Sequence, residues 1–195
     1  MKLEECLIVF ATKLEENGAF EEFYDRVIFT GVGKINSTYA LTKKLAELKQ
    51  LGKMPKYVIN IGTVSSDKYK VGDIVYCNRF IQHDMDATKF GFELGITPED
   101  QFPLLIEHKK LIEDLPNATC GTGDSFEPTG PIYKIVDVIE MEAYAFARVC
   151  KFENIDFIAI KSVTNRFDES PEDWVTQARK GSKLSFQYLK NKLFN

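Results

Sequence analysis

The sequence predicts an α/β domain in layers, built on a mainly parallel sheet. Short β-rich runs recur along the whole chain: "CLIVFAT", "RVIFTGVG", "YVINIGTV", "DIVYCNRFI", "ATCGTGD", "VDVIE" and "DFIAIKSVT". Between them lie stretches whose apolar residues repeat at helical spacing. No linker, internal repeat or low-complexity segment breaks the alternation, so residues 1–195 are expected to form a single domain.

Each element has its own warrant. "CLIVFAT" is the first strand, followed by a short helix carrying Glu15 and Glu16. "RVIFTGVG" ends in glycines that suit a tight strand-to-helix turn. Ile35 to Leu51 is the clearest helix: Tyr39, Leu41, Leu45 and Leu48 form a stripe, lysines lie opposite, and Gly52 suits the stop. Glu142 to Cys150 is a small-residue helix after "VDVIE". Pro171 to Leu193 is the last, with Ser170 as its cap and Pro171 at its first position. In a sheet of this kind ligands collect at the carboxyl ends of strands. Because "GVG", "NIGTVSS", "IEMEA" and "SVTN" each close an apolar run, that rule puts them on one rim.

Composition excludes several classes. The 29 acids and 25 basic residues nearly balance, and no basic stripe appears, so nucleic acid is not an expected partner. In "MKLEECLIVFATKLEE" the apolar run has only about six residues between acids, too short for a signal peptide or membrane span, and a cytoplasmic location is expected. Cys6, Cys77, Cys120 and Cys150 are widely separated and form no C-x-x-C pair, so they read as reduced packing residues. His83 and His108 lack a ligand partner at metal-site spacing, and no metal or organic cofactor is expected.

Two nucleotide motifs fail on inspection. In "TGVGKINST" a phosphate loop needs Gly at 28 and Ser or Thr at 35, where Ile28 and Ile35 stand. A dinucleotide fingerprint fails because Asn36 stands where the third glycine belongs. The junction "VDVIEMEAYAFARVC" is more informative. Glu140 and Glu142 flank Met141 where an apolar strand meets a small-residue helix, which makes the pair either a solvated helix start or a site. A helix start alone would be worth only about 0.3–1 kcal/mol through the macrodipole.

Taken in order, "GVGKINS", "VINIGTVSSDKYKVGDIV", "HDMDATKFGFELG", "GTGDSF", "IEMEAYAFARVC" and "IKSVTNRFDES" resemble the purine nucleoside phosphorylase and nucleosidase superfamily, nearest to its 5′-methylthioadenosine/S-adenosylhomocysteine nucleosidase branch. The resemblance runs through nearly the whole chain. It implies a three-layer α/β/α fold with a central mixed, mainly parallel sheet, a purine nucleoside as partner, and hydrolysis of its N-glycosidic bond without cofactor. It also implies roles. Glu142 would hold the ribose 2′- and 3′-hydroxyls and Met141 would pack under the sugar, with Glu140 less clearly assigned. A carboxylate suits that place because departure of the base leaves an oxocarbenium-like sugar.

In the same resemblance "FATKLEE" supplies the water-activating acid, Glu15, which can also be read as a surface acid. Thr63 and Ser65, with Val64 between them, lie near the attacking water or phosphate. Phe126 stacks on the purine and the backbone around Glu127 faces the base edge. His83 to Thr88 belongs to a loop that helps form a homodimer, and the aromatics Phe80, Phe90 and Phe92 beside it suit an interface.

The chain departs from the nucleosidase pattern at two places. It is too short between Glu15 and Gly31 for the hairpin that family members carry there. Thr164-Asn165 stands where nucleosidases have a Ser-Asp pair that protonates the leaving purine, and an amide cannot deliver a proton. Asp168 is either a substitute acid or a structural residue. Lys13 and Asn60 occupy the places of the phosphorylases' phosphate-binding arginines, with Arg166 the one guanidinium in the rim segments. These features leave two alternatives beside hydrolysis: phosphorolysis of 6-oxopurine nucleosides with phosphate as partner, and a nucleoside-binding protein with weak chemistry.

Overall fold

The computed structural model describes residues 1–125, 134–167 and 173–194. Strands β1 (Cys6–Phe10), β2 (Val27–Phe29), β3 (Tyr57–Ser65), β4 (Ile74–Gln82), β5 (Leu105–Glu107), β6 (Asn117–Thr122), β7 (Val138–Glu140) and β8 (Asp156–Asn165) join in one mixed sheet. Parallel pairings predominate: β1 with β2 and β3, β3 with β8, and β6 with β4 and β7. The helices are α1 (Lys13–Glu16), α2 (Lys34–Gln50), α3 (Ala143–Phe152) and α4 (Trp174–Tyr188), the last continuing into a π-type turn at Leu189–Leu193.

The continuous apolar runs mark strands buried on both faces. In β1, Leu7 and Val9 point into one core, and Cys6, Ile8 and Phe10 into the other. The first core is closed by α2 and α3 through Leu41, Leu45, Phe146 and Cys150; the second takes Phe20, Phe23 and Leu189. Leu41 and Leu45 are buried as expected, but Tyr39 is 68% exposed and is no part of the buried stripe. Its position in the helical repeat turns it toward solvent beside α3. All four cysteines are buried free thiols. Among the described residues no helix is long and apolar enough to cross a membrane.

The sheet is mixed and mainly parallel as expected, but instead of forming the middle of three layers it closes on itself. From β3 the hydrogen bonding runs through β8, β4, β6 and β7 and returns to β3. The closing contact pairs Ser65 with Ile139, so β3 and β7 approach from opposite directions and meet at their carboxyl ends. Strand twist accumulates along the long β3, β4 and β8, and a register shift between Val64 and Ser65 bends β3 where it closes.

Two contacts tie the helices to this junction. α4 lies so close to β8 that a Cβ on Gly181 would stand 2.0 Å from the Ser162 hydroxyl oxygen. Ser182 donates its hydroxyl to the Glu16 carbonyl, fixing α1 against α4. The described part of α4 begins at Trp174 with Asp173 before it. Its expected start, with Ser170 as cap and Pro171 following, lies outside the described residues.

Candidate active site

A cavity of about 360 Å³ opens where the strand ends converge, within the usual range of roughly 300–1,000 Å³ for small-molecule sites. The structure brings together at its wall Glu15, Thr63, Val64, Ser65, Glu140, Met141, Glu142, Thr164 and Asn165, nine residues that the sequence points to. The expected rim is therefore present. Phe126, Glu127 and Asp168 lie outside the described residues.

Glu15 is not a surface acid. It is the third residue of α1, and Thr12 caps that helix through a reciprocal box with it. Its Oε1 accepts from the Thr63 backbone N–H and hydroxyl, both at 3.1 Å, and Oε2 accepts from the Thr12 N–H at 3.2 Å. Burial raises its pKa, against the opposing pull of Lys161 and the Thr63 hydrogen bonds. Its neighbour Glu16 is also buried but turned away from the cavity, accepting from the N–H groups of Gly18 and Phe20 and the Tyr24 hydroxyl.

The two glutamates around Met141 divide their work. Glu140 is tied down completely: it accepts from Thr122, from the N–H groups of Glu142 and Ala143 at the start of α3, and from Lys161 Nζ at 3.0 Å. It caps α3 and neutralises the lysine. Glu142 lines the cavity; its Oε1 accepts the Gly33 N–H at 2.9 Å, and among the described residues its other oxygen has no hydrogen-bond donor. Burial and the adjacent Glu140 push its pKa up to about 8, with Lys161 and the Gly33 N–H opposing.

The turn before α2 is the tight one expected, with Gly31 and Gly33 at φ +85° and +90°. Lys34, the first residue of that helix, fastens it to the neighbouring loops. Its Nζ lies 2.6 Å from Asp84 and 3.6 Å from Asp124, and its N–H donates to Asp124 at 2.8 Å.

Asn165 closes β8 beside the bulge of β3. Its amide donates to the Ser65 hydroxyl at 2.9 Å and to the Arg166 carbonyl at 2.8 Å, and its Oδ1 accepts from the Thr164 hydroxyl at 2.9 Å. The candidate phosphate-binding groups are elsewhere. Lys13 lies over the Phe29 ring, Asn60 donates to the carbonyls of Val9 and Ile61, and Arg166 pairs with Asp67 at 3.1 Å. Among the described residues no lysine or arginine lines the cavity.

Sequence reasoning missed Lys161 and Trp174. Lys161 is a single cation inside the apolar run "DFIAIKSVT", a signal visible in the sequence, and its side chain is 2% exposed. Burial acts to lower its pKa, but Glu140, Glu142 and Glu15 outweigh it and raise the value, so it stays charged. Gly62 lets it approach Glu15: a Cβ there would lie 3.3 Å from both Lys161 Nζ and Glu15 Oε1. Trp174, the chain's one tryptophan, lines the cavity from the start of α4 with Val175. Its indole N–H donates to the Thr63 hydroxyl at 3.2 Å. No pattern around it announces that contact. His108 is structural: its ring nitrogen bonds the Ala147 carbonyl, and burial lowers its pKa to about 4.

Residues 26–191 match the phosphorylase superfamily. The chain is 29% identical over 197 residues to a 5′-methylthioadenosine/S-adenosylhomocysteine nucleosidase of Marinomonas sp. (strain MWYL1), covering 88% of this chain and 83% of that protein. It is 30% identical to the nucleosidase of the same name from Exiguobacterium sp. (strain ATCC BAA-1283 / AT1b), covering 73% and 68%. Among solved structures, its fold is similar to an aspartate-to-asparagine variant of the Helicobacter pylori enzyme MTAN with 5′-methylthioadenosine in the active site. That match has a TM-score of 0.78 at 21% identity and covers 95% and 96% of the two chains.

Proposed function

Because the chain belongs to the phosphorylase superfamily, we propose that it is a nucleosidase that hydrolyses the N-glycosidic bond of a purine nucleoside of the 5′-methylthioadenosine or S-adenosylhomocysteine type, releasing the base. One observation carries the choice of water over phosphate. The cavity is walled by the carboxylates Glu15, Glu140 and Glu142, and no described lysine or arginine lines it. A wall without a guanidinium or ammonium group has nothing to hold phosphate, so water is the acceptor the cavity favours.

In this reading water attacks C1′ of the ribose, the C1′–N9 bond breaks, and its electron pair leaves with the base. Glu15 takes the proton from the water; burial raises its affinity for that proton, and Lys161 opposes the rise. Glu142 accepts from the ribose hydroxyls and opposes the developing charge, with Met141 against the sugar. Thr63, Val64 and Ser65 border the water's place, and Thr164 and Asn165 border the base. Asn165 orients the base but brings no proton, so the base takes its proton from solvent and departs slowly.

The same reading makes the protein one domain, cytoplasmic, serving purine salvage, and a homodimer. Phe90 at 84% and Ile35 at 82% exposure, together with the exposed Tyr39 and Phe152 along a groove of about 1,090 Å³ between α2 and α3, support the dimer.

The test is chromatographic. Wild type releases adenine from 5′-methylthioadenosine, and Glu15→Gln loses roughly 10²–10⁴ of that rate, the usual worth of a general base. Base release by Glu15→Gln at the wild-type rate would remove Glu15 from the mechanism.

A further inference from the structure

We infer that Trp174 is a positioning residue for Glu15: its indole N–H fixes the rotor of the Thr63 hydroxyl so that the hydroxyl's one proton points at Glu15 Oε1, leaving Oε2 as the oxygen that takes the proton from water. The inference rests on the assignment of Glu15 as the base.

The hydrogen-bond inventory leads there. A threonine hydroxyl carries one proton and two acceptor lone pairs, and an indole N–H can only donate. Trp174 Nε1 lies 3.2 Å from Thr63 Oγ1, so the hydroxyl is the acceptor in that contact. Its own proton is then free for Glu15 Oε1 at 3.1 Å, an acceptor without competition while the carboxylate is ionised. With the Thr63 N–H also at 3.1 Å, Oε1 has both lone pairs engaged. Oε2 has the Thr12 N–H at 3.2 Å and only a long contact of 3.4 Å to the Thr12 hydroxyl, which itself accepts from the Glu15 N–H. Oε2 therefore keeps room for a proton.

Chained bonds polarise one another, so the indole strengthens the hydroxyl's bond to the carboxylate. The charged groups that face Glu15 are Lys161 from β8 and Glu142 from the start of α3, with Glu140 on the far side of the lysine. None of them contacts the Thr63 hydroxyl, so the indole acts on the base independently of them. The close packing of α4 on β8 at Gly181 holds Trp174 at the height of the cavity rim.

The test compares pH profiles of kcat for the wild type, Trp174→Phe, Thr63→Val and the double variant. Phenylalanine keeps the ring against the cavity and removes the donor. In Trp174→Phe the acid limb should move up by about half a pH unit, and in Thr63→Val by about one, the size of one hydrogen bond to a charged group. The double variant should match Thr63→Val, because the indole acts only through that hydroxyl. An acid limb in Trp174→Phe that superimposes on the wild type overturns the inference, and so does a double variant whose shift is the sum of the two. If Glu15→Gln is fully active, the assignment of the base fails as well; if it is inactive while Trp174→Phe leaves the limb in place, the inference about the tryptophan fails alone.

Discussion

The Glu142 carboxylate accepts the backbone N–H of Gly33 at 2.9 Å, joining the start of α3 to the turn before α2 across 109 residues of sequence. That bond occupies Oε1 and aims the remaining lone pairs at the cavity. Glutamine in its place can still accept from Gly33, so Glu142→Gln should fold and bind nucleoside. What it lacks is the carboxylate that forms as pH rises through about 8 and opposes the developing sugar cation. Turnover should fall roughly 10²–10³-fold, with little change in KM. Steady-state kinetics check this, and wild-type turnover would leave Glu142 as a structural tie to the turn before α2.

The raised pKa of Glu142 has a consequence for stability. In the unfolded chain the carboxyl titrates near 4.5, and in the folded protein at about 8. Between these values the folded state holds a proton that the unfolded state has released, so stability from this group is full below about 4.5 and is lost as pH rises through 8. Glu15, also raised by burial, acts in the same direction. The melting temperature of the ligand-free protein should therefore fall from pH 5 to pH 8, and Glu142→Gln should flatten that slope. A wild-type melting temperature that rises over the window contradicts the shift.

Asn165 gives a gain-of-function prediction. In Asn165→Asp, the oxygen replacing Nδ2 would stand about 2.8 Å from the Arg166 carbonyl oxygen, a contact that favours a protonated carboxyl. A held proton beside the base is what the leaving purine needs. Adenine release should rise within the range of about 10²–10⁴ that general acid catalysis supplies, with binding nearly unchanged. Unchanged release in the variant would mean that another group already protonates the base.

How much of this was legible in the sequence varied with the kind of interaction. β1, β3 and β8 announced themselves because both of their faces are buried, which writes an uninterrupted apolar run. The strand-end rule then gathers Thr63, Glu142 and Asn165 on one rim. Closure of the sheet was not legible, since it depends on accumulated twist and on the single pairing of Ser65 with Ile139. Short β5 left no periodic signal over its three residues. Lys161 was legible in principle, as a charge within an apolar strand; Trp174 was not, because its partner Thr63 lies 111 residues away and only the packing of α4 brings them together.

Assembly supplies a further prediction. The exposed Ile35, Tyr39 and Phe152 line one groove and form an apolar surface that an isolated chain would leave in water. Sedimentation at micromolar concentration should give twice the mass of the chain, and Tyr39→Lys should shift it toward one. A monomeric wild type would contradict the proposed homodimer.

In the proposed reaction water, and not phosphate, accepts the sugar. The direct measurement is to follow 5′-methylthioadenosine with the wild-type protein in phosphate-free buffer and again with excess phosphate, identifying both products. Adenine and free 5-methylthioribose should appear at the same rate in both buffers. Base release that requires phosphate, with the sugar recovered as its 1-phosphate, would contradict it.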